Sequence, residues 1–127
     1  MRALEVAKDI AMGLAYIHDL PRETGLPFCI IHRDLKPGNI MFDSKGSAKL
    51  LDFSLSAIIE YGPYESINID EKFYLTGEKG NIRFMAPEVA KSKMYNEKVD
   101  IYSFGLLLWE MLTLREPYPD IFDYKNP

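Results

Sequence analysis

An aspartate, a lysine and an asparagine stand close together in His32-Arg33-Asp34-Leu35-Lys36-Pro37-Gly38-Asn39, and their types suit one chemistry. An aspartate can accept the proton of a hydroxyl, a lysine just after it can offer positive charge to a phosphoryl group, and an asparagine further along can hold a metal ion. The expected reaction is phosphoryl transfer. His-Arg-Asp also arises as a surface charge cluster, so the octet gains its weight from the motifs further along the chain. Asp52-Phe53-Ser54 comes next in chemical interest. An aspartate straight after a buried strand is costly unless it is ionised and paired, and a metal ion is one such partner. Asn39 and Asp52, at the two ends of one hairpin, are therefore the candidate Mg2+ ligands, with Asp34 nearby to orient a hydroxyl. Taken singly, Asp52 is also reasonable as an N-cap or turn residue, a reading that is weak for the set of Asp34, Asn39 and Asp52 together.

The elements that must position these groups are read from periodicity. Leu4, Ala7, Ile10, Ala11, Leu14 and Ile17 recur at spacings of three and four, with Glu5, Lys8 and Asp9 on the other face, which predicts an amphipathic helix over 3–18. Asp19-Leu20-Pro21 ends it, residues 21–27 read as a loop, and His18 in the last turn reads as a packed or capping histidine. Phe28-Cys29-Ile30-Ile31 is a short apolar run supporting the catalytic candidates from behind. Ile40-Met41-Phe42 and Ala48-Lys49-Leu50-Leu51 flank the turn Asp43-Ser44-Lys45-Gly46, a small hairpin that brings Asn39 close to Asp52.

Residues 56–79 are read as a long mobile loop beside the site, of the regulatory or substrate-binding kind. Its hydroxyls Thr76, Tyr74 and Ser66 are candidates for phosphorylation, Thr76 first among them, with Arg33 as the partner of the phosphate. Solvated hydroxyls without a role are the alternative. Pro87 is placed to open a short helix through about Lys91, and Asn96 to cap a long one over 97–113. That second helix is so apolar that it predicts burial within a larger body. Asp100 near its start is then expensive unless it receives hydrogen bonds, for which backbone amides of the catalytic loop are the candidates.

Composition narrows the partners. The chain of 127 residues is at most one domain, and its 47% hydrophobic content is that of a globular protein with a core. A net charge of -4 without a Lys/Arg run argues against nucleic acid or an anionic membrane as principal partner. Cys29 is the only cysteine, so there is no internal disulfide and no multi-cysteine metal site; it reads as a buried thiol in a reducing compartment. The charged start is unlike a signal peptide, and no stretch approaches the roughly 18 apolar residues of a membrane span. The expected location is cytoplasmic.

With the octet, Asp52-Phe53-Ser54 and Ala86-Pro87-Glu88 in that order, the chain resembles the eukaryotic protein kinases over almost its whole length. Lys36-Pro37 looks like the serine/threonine-specific form of the catalytic loop. The stretches 80–88 and Asp100-Ile101-Tyr102-Ser103-Phe104-Gly105 look like the tyrosine-kinase-like group of serine/threonine kinases. The implied fold is α+β and protein-kinase-like: the central part of the mainly α-helical large lobe, with a small β-hairpin at the catalytic loop. The implied cofactors are ATP and Mg2+, and the implied partner is a protein substrate. By the resemblance Asp34 is the catalytic base, Lys36 steadies the transferred phosphate, Asn39 and Asp52 bind Mg2+, and Arg33 reads activation-loop phosphorylation. His32 and Phe53 would belong to a packed spine, and Asp100 would anchor the catalytic loop.

Three departures from the family pattern qualify this. Ser54 stands where the family has glycine, which limits backbone freedom at a hinge meant to flip; metal binding is expected to survive. Asn81 stands where serine/threonine kinases usually carry a threonine that hydrogen-bonds the catalytic aspartate and lysine, and its amide is expected to substitute in part. Residues 1–127 contain no glycine-rich phosphate loop and no Val-Ala-Ile-Lys strand, so they read as a partial kinase domain, the large-lobe core without the small lobe or the last large-lobe helices. The isolated chain is then expected to be inactive. The alternative is a catalytically impaired, kinase-derived scaffold or a partial gene product.

Overall fold

A computed structural model describes residues 2–61, 71–73, 75 and 81–121. Helix α1 spans Arg2–His18 and buries Ala7, Ile10, Leu14 and Ile17, the stripe that its three- and four-residue spacing predicts. The loop expected over 21–27 is shorter than predicted, because Leu20–Thr24 forms a helix, α2. Pro21 sits in its first turn, where the missing N–H would have had no intrahelical partner, so proline admits this second helix, while α1 ends at His18, just before Asp19-Leu20-Pro21, as predicted. Gly25, at a φ of 76°, closes it by donating its N–H to Pro21 O.

Strand β1 (Phe28–Ile31) forms as predicted, but its partner was hidden in the sequence. Ala57–Glu60 forms strand β4 and pairs with it antiparallel, Cys29 opposite Ile59 and Ile31 opposite Ala57. Residues 57–60, expected to be part of the long loop, are strand instead. Within β4 only Ile59 is buried, and one inward residue is too short an alternation to be read as a strand. Cys29 is fully buried, with Sγ 3.3 Å from Tyr61 Oη, and burial pushes its thiol up from the ordinary range. It is the inert core thiol expected.

Strands β2 (Ile40–Phe42) and β3 (Ala48–Leu50) make the predicted hairpin. Asp43 builds its turn: Oδ1 accepts from Lys45 N and Ser47 N at 2.9 and 3.0 Å, and Gly46 takes a φ of 83° that suits glycine. The hairpin is tied to α1 where Asp9 Oδ2 accepts from Ala48 N (2.8 Å), so Asp9 is a structural acceptor and not merely part of a solvated face. Gly13 lets β3 lie against the helix, since a Cβ there would meet Leu50 Cδ1 at 3.2 Å.

The backbone N–H of Ser47 is the main cause holding the Asp43 carboxyl below its usual range. A carboxyl with a depressed folded pKa contributes stability above the ordinary carboxylate range, and that contribution is lost as pH falls through the folded value. Urea titrations of the native chain and Asp43→Asn should therefore show a gap in midpoint at neutral pH that closes on acidification. A gap constant across that range would contradict this account of the turn.

Helix α3 (Pro87–Ala90) opens on proline as predicted, and helix α4 spans Lys98–Thr113. Asn96 serves its start, Oδ1 accepting from Lys98 N at 3.1 Å. Helix α4 joins two cores. Leu107 packs with Ile10, Leu14, Ile17, Leu35, Ala48 and Phe84, while Val99 packs with Cys29, Ile31, Ile59, Ala86, Val89 and Tyr95. The all-round burial expected of α4 is realised on one face only. Val99, Asp100, Ser103 and Leu107 are buried, whereas Ile101, Trp109 and Leu112 are exposed. The described residues thus leave an apolar face of this helix uncovered.

Candidate active site

Strand β1 delivers the chain into a loop whose shape is set by Asp100 in the first turn of α4. Its carboxylate is 1% exposed and accepts from His32 N (2.8 Å, Oδ2), Arg33 N (2.9 Å, Oδ1) and His18 Nε2 (2.7 Å, Oδ2). The backbone amides suggested by the burial argument are its partners. The third, His18, was read only as a packing or capping residue, and nothing in its helical position announces Asp100. Arg33 has a φ of 65°, a conformation that costs a non-glycine residue about 1–2 kcal/mol, and the two oxygens of Asp100 hold the backbone there.

The next links run through His32, which is fully buried. Its Nε2 lies 2.8 Å from Leu51 O, which can only accept, so Nε2 carries the proton and Nδ1 is left to accept from Asp34 N (3.2 Å). One imidazole thereby fixes both the loop bearing Asp34 and the strand end leading to Asp52. The His32 ring also meets Phe53 edge-on, with centroids 4.8 Å apart, but Phe53 itself is exposed, so of the two residues expected in a packed spine only His32 is buried.

Asp34 is buried and gathers the candidate groups around it. Asn39, closing the 3-10 turn Pro37–Asn39, donates Nδ2 to Asp34 O at 2.7 Å and to Asp34 Oδ2 at 2.9 Å. Lys36 Nζ lies 3.4 Å from the same Oδ2, and Asn81 N donates to Oδ1 at 3.3 Å. Asn81 departs from the expectation that its amide reaches the aspartate. The main chain makes that bond, while the side-chain Oδ1 accepts from Arg83 N (3.0 Å) to cap the 3-10 turn Ile82–Phe84. That turn is in turn held by α4, where Ser103 Oγ donates to Phe84 O at 2.6 Å.

Asp52 is brought alongside by the hairpin, since Leu51 N donates to Asn39 O at 2.9 Å. The premise that Asp52 is buried is corrected, because the residue is exposed, as is Leu51 before it. Its carboxyl is held below the usual range chiefly by the Ser54 hydroxyl, which donates to Oδ1 at 2.5 Å. A φ of 56° turns its backbone into the left-handed region. Asn39 Oδ1 and the Asp52 carboxylate are hard oxygen donors, and among the described residues no three His, Cys, Asp or Glu side chains gather to hold a metal. The donor set fits Mg2+, which keeps several waters and completes its shell with phosphate oxygens.

Arg33 reaches the segment after Asp52. Its Nε donates to Leu55 O (2.6 Å), Nη2 to Ser56 O (3.4 Å) and Nη1 to Tyr95 Oη (3.2 Å). Tyr95 is a further buried member of the site that sequence reasoning missed, and no pattern around it could have shown the contact. Thr76, Tyr74 and Ser66, the candidate phosphorylation sites, lie outside the described residues.

Residues 2–126 match the sequence pattern of the family described as protein kinase domain. Among similar proteins, the dual specificity protein kinase shkD of Dictyostelium discoideum is 39% identical over 97% of this chain and 14% of the relative. The serine/threonine-protein kinase VIK of Arabidopsis thaliana is 39% identical over 97% of this chain and 26% of the relative. The serine/threonine-protein kinase CTR1 of the same plant is 35% identical over 94% of the chain and 13% of the relative. The chain spans about a quarter or less of the length of these relatives.

Proposed function

Because the chain belongs to the protein kinase domain family, we propose that it supplies the catalytic and metal-holding loops for transfer of the ATP γ-phosphate to serine and threonine hydroxyls of a protein substrate. The observation that carries this is the setting of Asp34, whose carboxylate touches Asn39 Nδ2, Lys36 Nζ and Asn81 N together. The three act on one hydroxyl and one phosphate. Asp34 takes the proton of the attacking hydroxyl through the lone pairs that these donors leave open. Lys36 shares its charge between that carboxylate and the transferred phosphate. Asn39 Oδ1 and Asp52 would hold Mg2+, which when bound offsets the negative charge of the phosphates. The 127 residues act here as the core of a large lobe, and the nucleotide phosphates are covered by a part that these residues do not contain. Cytoplasm, where ATP is available, is the proposed setting.

Arg33 is a positioning residue in this reading. Its backbone is locked by Asp100, and its guanidinium ties the loop to Leu55 and Ser56, downstream of Asp52. Pairing with a phosphate on Thr76 would strengthen that tie. A second reading, a kinase-derived binding scaffold, draws on Ser54 and on the Asn81 side chain bonded to Arg83 N in place of Asp34. The full-length protein bearing these residues, given γ-labelled ATP and Mg2+, is expected to label protein serine and threonine and to stop on adding EDTA. Label confined to tyrosine would overturn the substrate assignment, and no label at all would favour the scaffold.

A further inference from the structure

We infer that Tyr95 is a positioning residue for the transfer: its hydroxyl gives Arg33 an acceptor from within the chain and joins the catalytic loop to residues 71–73, so that turnover does not depend on a phosphate at Thr76. For turnover this rests on the function proposed above, whereas the tie itself stands on geometry. Tyr95 is 1% exposed and lies between α3 and α4. Its main chain pairs with Phe73 in both directions, Phe73 N donating to Tyr95 O at 2.8 Å and Tyr95 N to Phe73 O at 3.1 Å. The next residue adds a third bond, since Asn96 Nδ2 donates to Glu71 O at 3.2 Å. Phe73 also packs against the core that holds Tyr95, with its ring centroid 6.3 Å from that of Tyr61.

Two neighbouring residues thus clip the segment on one side, and the Tyr95 side chain reaches the catalytic loop on the other. Arg33 Nη1 donates to its hydroxyl at 3.2 Å. A hydrogen bond from a charged donor is stronger than one between neutral groups, and the guanidinium is planar, so each acceptor it meets also fixes its direction. With Leu55 O and Ser56 O as further acceptors, Arg33 is oriented by groups of the chain itself. A phosphate on Thr76 would add charge to this arrangement without being needed to build it. The hydroxyl carries the argument. Phenylalanine at position 95 would keep the ring and the main-chain bridge to Phe73 but would leave Arg33 Nη1 without this acceptor.

The test uses the full-length protein bearing these residues, assayed on a serine peptide before and after treatment with a nonspecific phosphatase that is then removed. Native protein should keep its kcat within about threefold after treatment, because its own acceptors hold Arg33. Treated Tyr95→Phe should fall about tenfold in kcat, with the KM for ATP unchanged. Asn96→Asp keeps an acceptor for Lys98 N and removes the donor to Glu71 O, so it should lower kcat in the same direction. Amide exchange at Phe73 reads the tie without reference to activity, and should quicken about fivefold in both variants. A native rate lost on phosphatase treatment, or treated Tyr95→Phe as fast as treated native protein, would overturn this inference alone. Native protein that transfers no phosphate even before treatment would overturn the proposed function, and exchange at Phe73 then decides separately. Faster exchange in Tyr95→Phe would support the tie, and unchanged exchange would overturn it.

Discussion

Replacing Asp100 with alanine is expected to destabilise the chain by about 3–5 kcal/mol, the range for removing one partner from a buried, hydrogen-bonded charge. The carboxylate is 1% exposed and serves three donors, so its loss leaves His32 N, Arg33 N and His18 Nε2 without their acceptor. It also releases Arg33 from a left-handed backbone that the two carboxylate oxygens hold in place. Asp100→Asn keeps one acceptor oxygen and turns an NH2 toward a donor, so about 1–3 kcal/mol should be lost. Urea unfolding of the two variants checks the sizes. Amide exchange at His32 and Arg33 checks the cause, because both amides should exchange faster in Asp100→Ala well below the unfolding midpoint. A loss below about 1 kcal/mol in Asp100→Ala would mean that water replaces the carboxylate at little cost, and α4 would no longer be what shapes the loop.

How much of this was legible in the sequence depended on the range of the interaction. Helix α1 was readable because Ile10, Leu14 and Ile17 repeat at helical spacing, and the hairpin because Asp43 and Gly46 carry its turn chemistry locally. The link from Asp100 to the loop was readable for another reason. A carboxylate inside an apolar helix must find donors, and backbone amides of the catalytic loop were the candidates named for it. Strand β4 was not readable, since its pairing with β1 joins residues far apart in sequence and only Ile59 points inward. The exposure of Asp52 was misjudged for a similar reason: the hairpin buries Ala48 but leaves the chain at Leu51 on the surface. His18 and Tyr95 entered the site through contacts that no local pattern encodes. Motif chemistry identified the groups at the site, while their mutual arrangement depended on tertiary packing.

The largest functional loss is expected from Asp34→Asn. An amide has no basicity to take a hydroxyl proton, and general-base catalysis by a positioned side chain contributes about 10²–10⁴-fold. The substitution keeps the shape and size of the side chain, and the loop remains held by Asp100 and His32, so folding and nucleotide binding should change little. The contacts most disturbed are the Lys36 ion pair at 3.4 Å and the Asn39 bond at 2.9 Å, both on Oδ2. An amide nitrogen facing Lys36 or Asn39 Nδ2 can accept from neither.

The most direct test is therefore the single-turnover rate of phosphate transfer from ATP to a serine peptide, measured with the full-length protein and its Asp34→Asn variant at matched nucleotide occupancy. The account predicts a rate about 10²–10⁴-fold lower in the variant with nucleotide affinity preserved. Rates within about threefold of each other would contradict it, because the proton of the attacking hydroxyl would then leave by a route in which Asp34 takes no part.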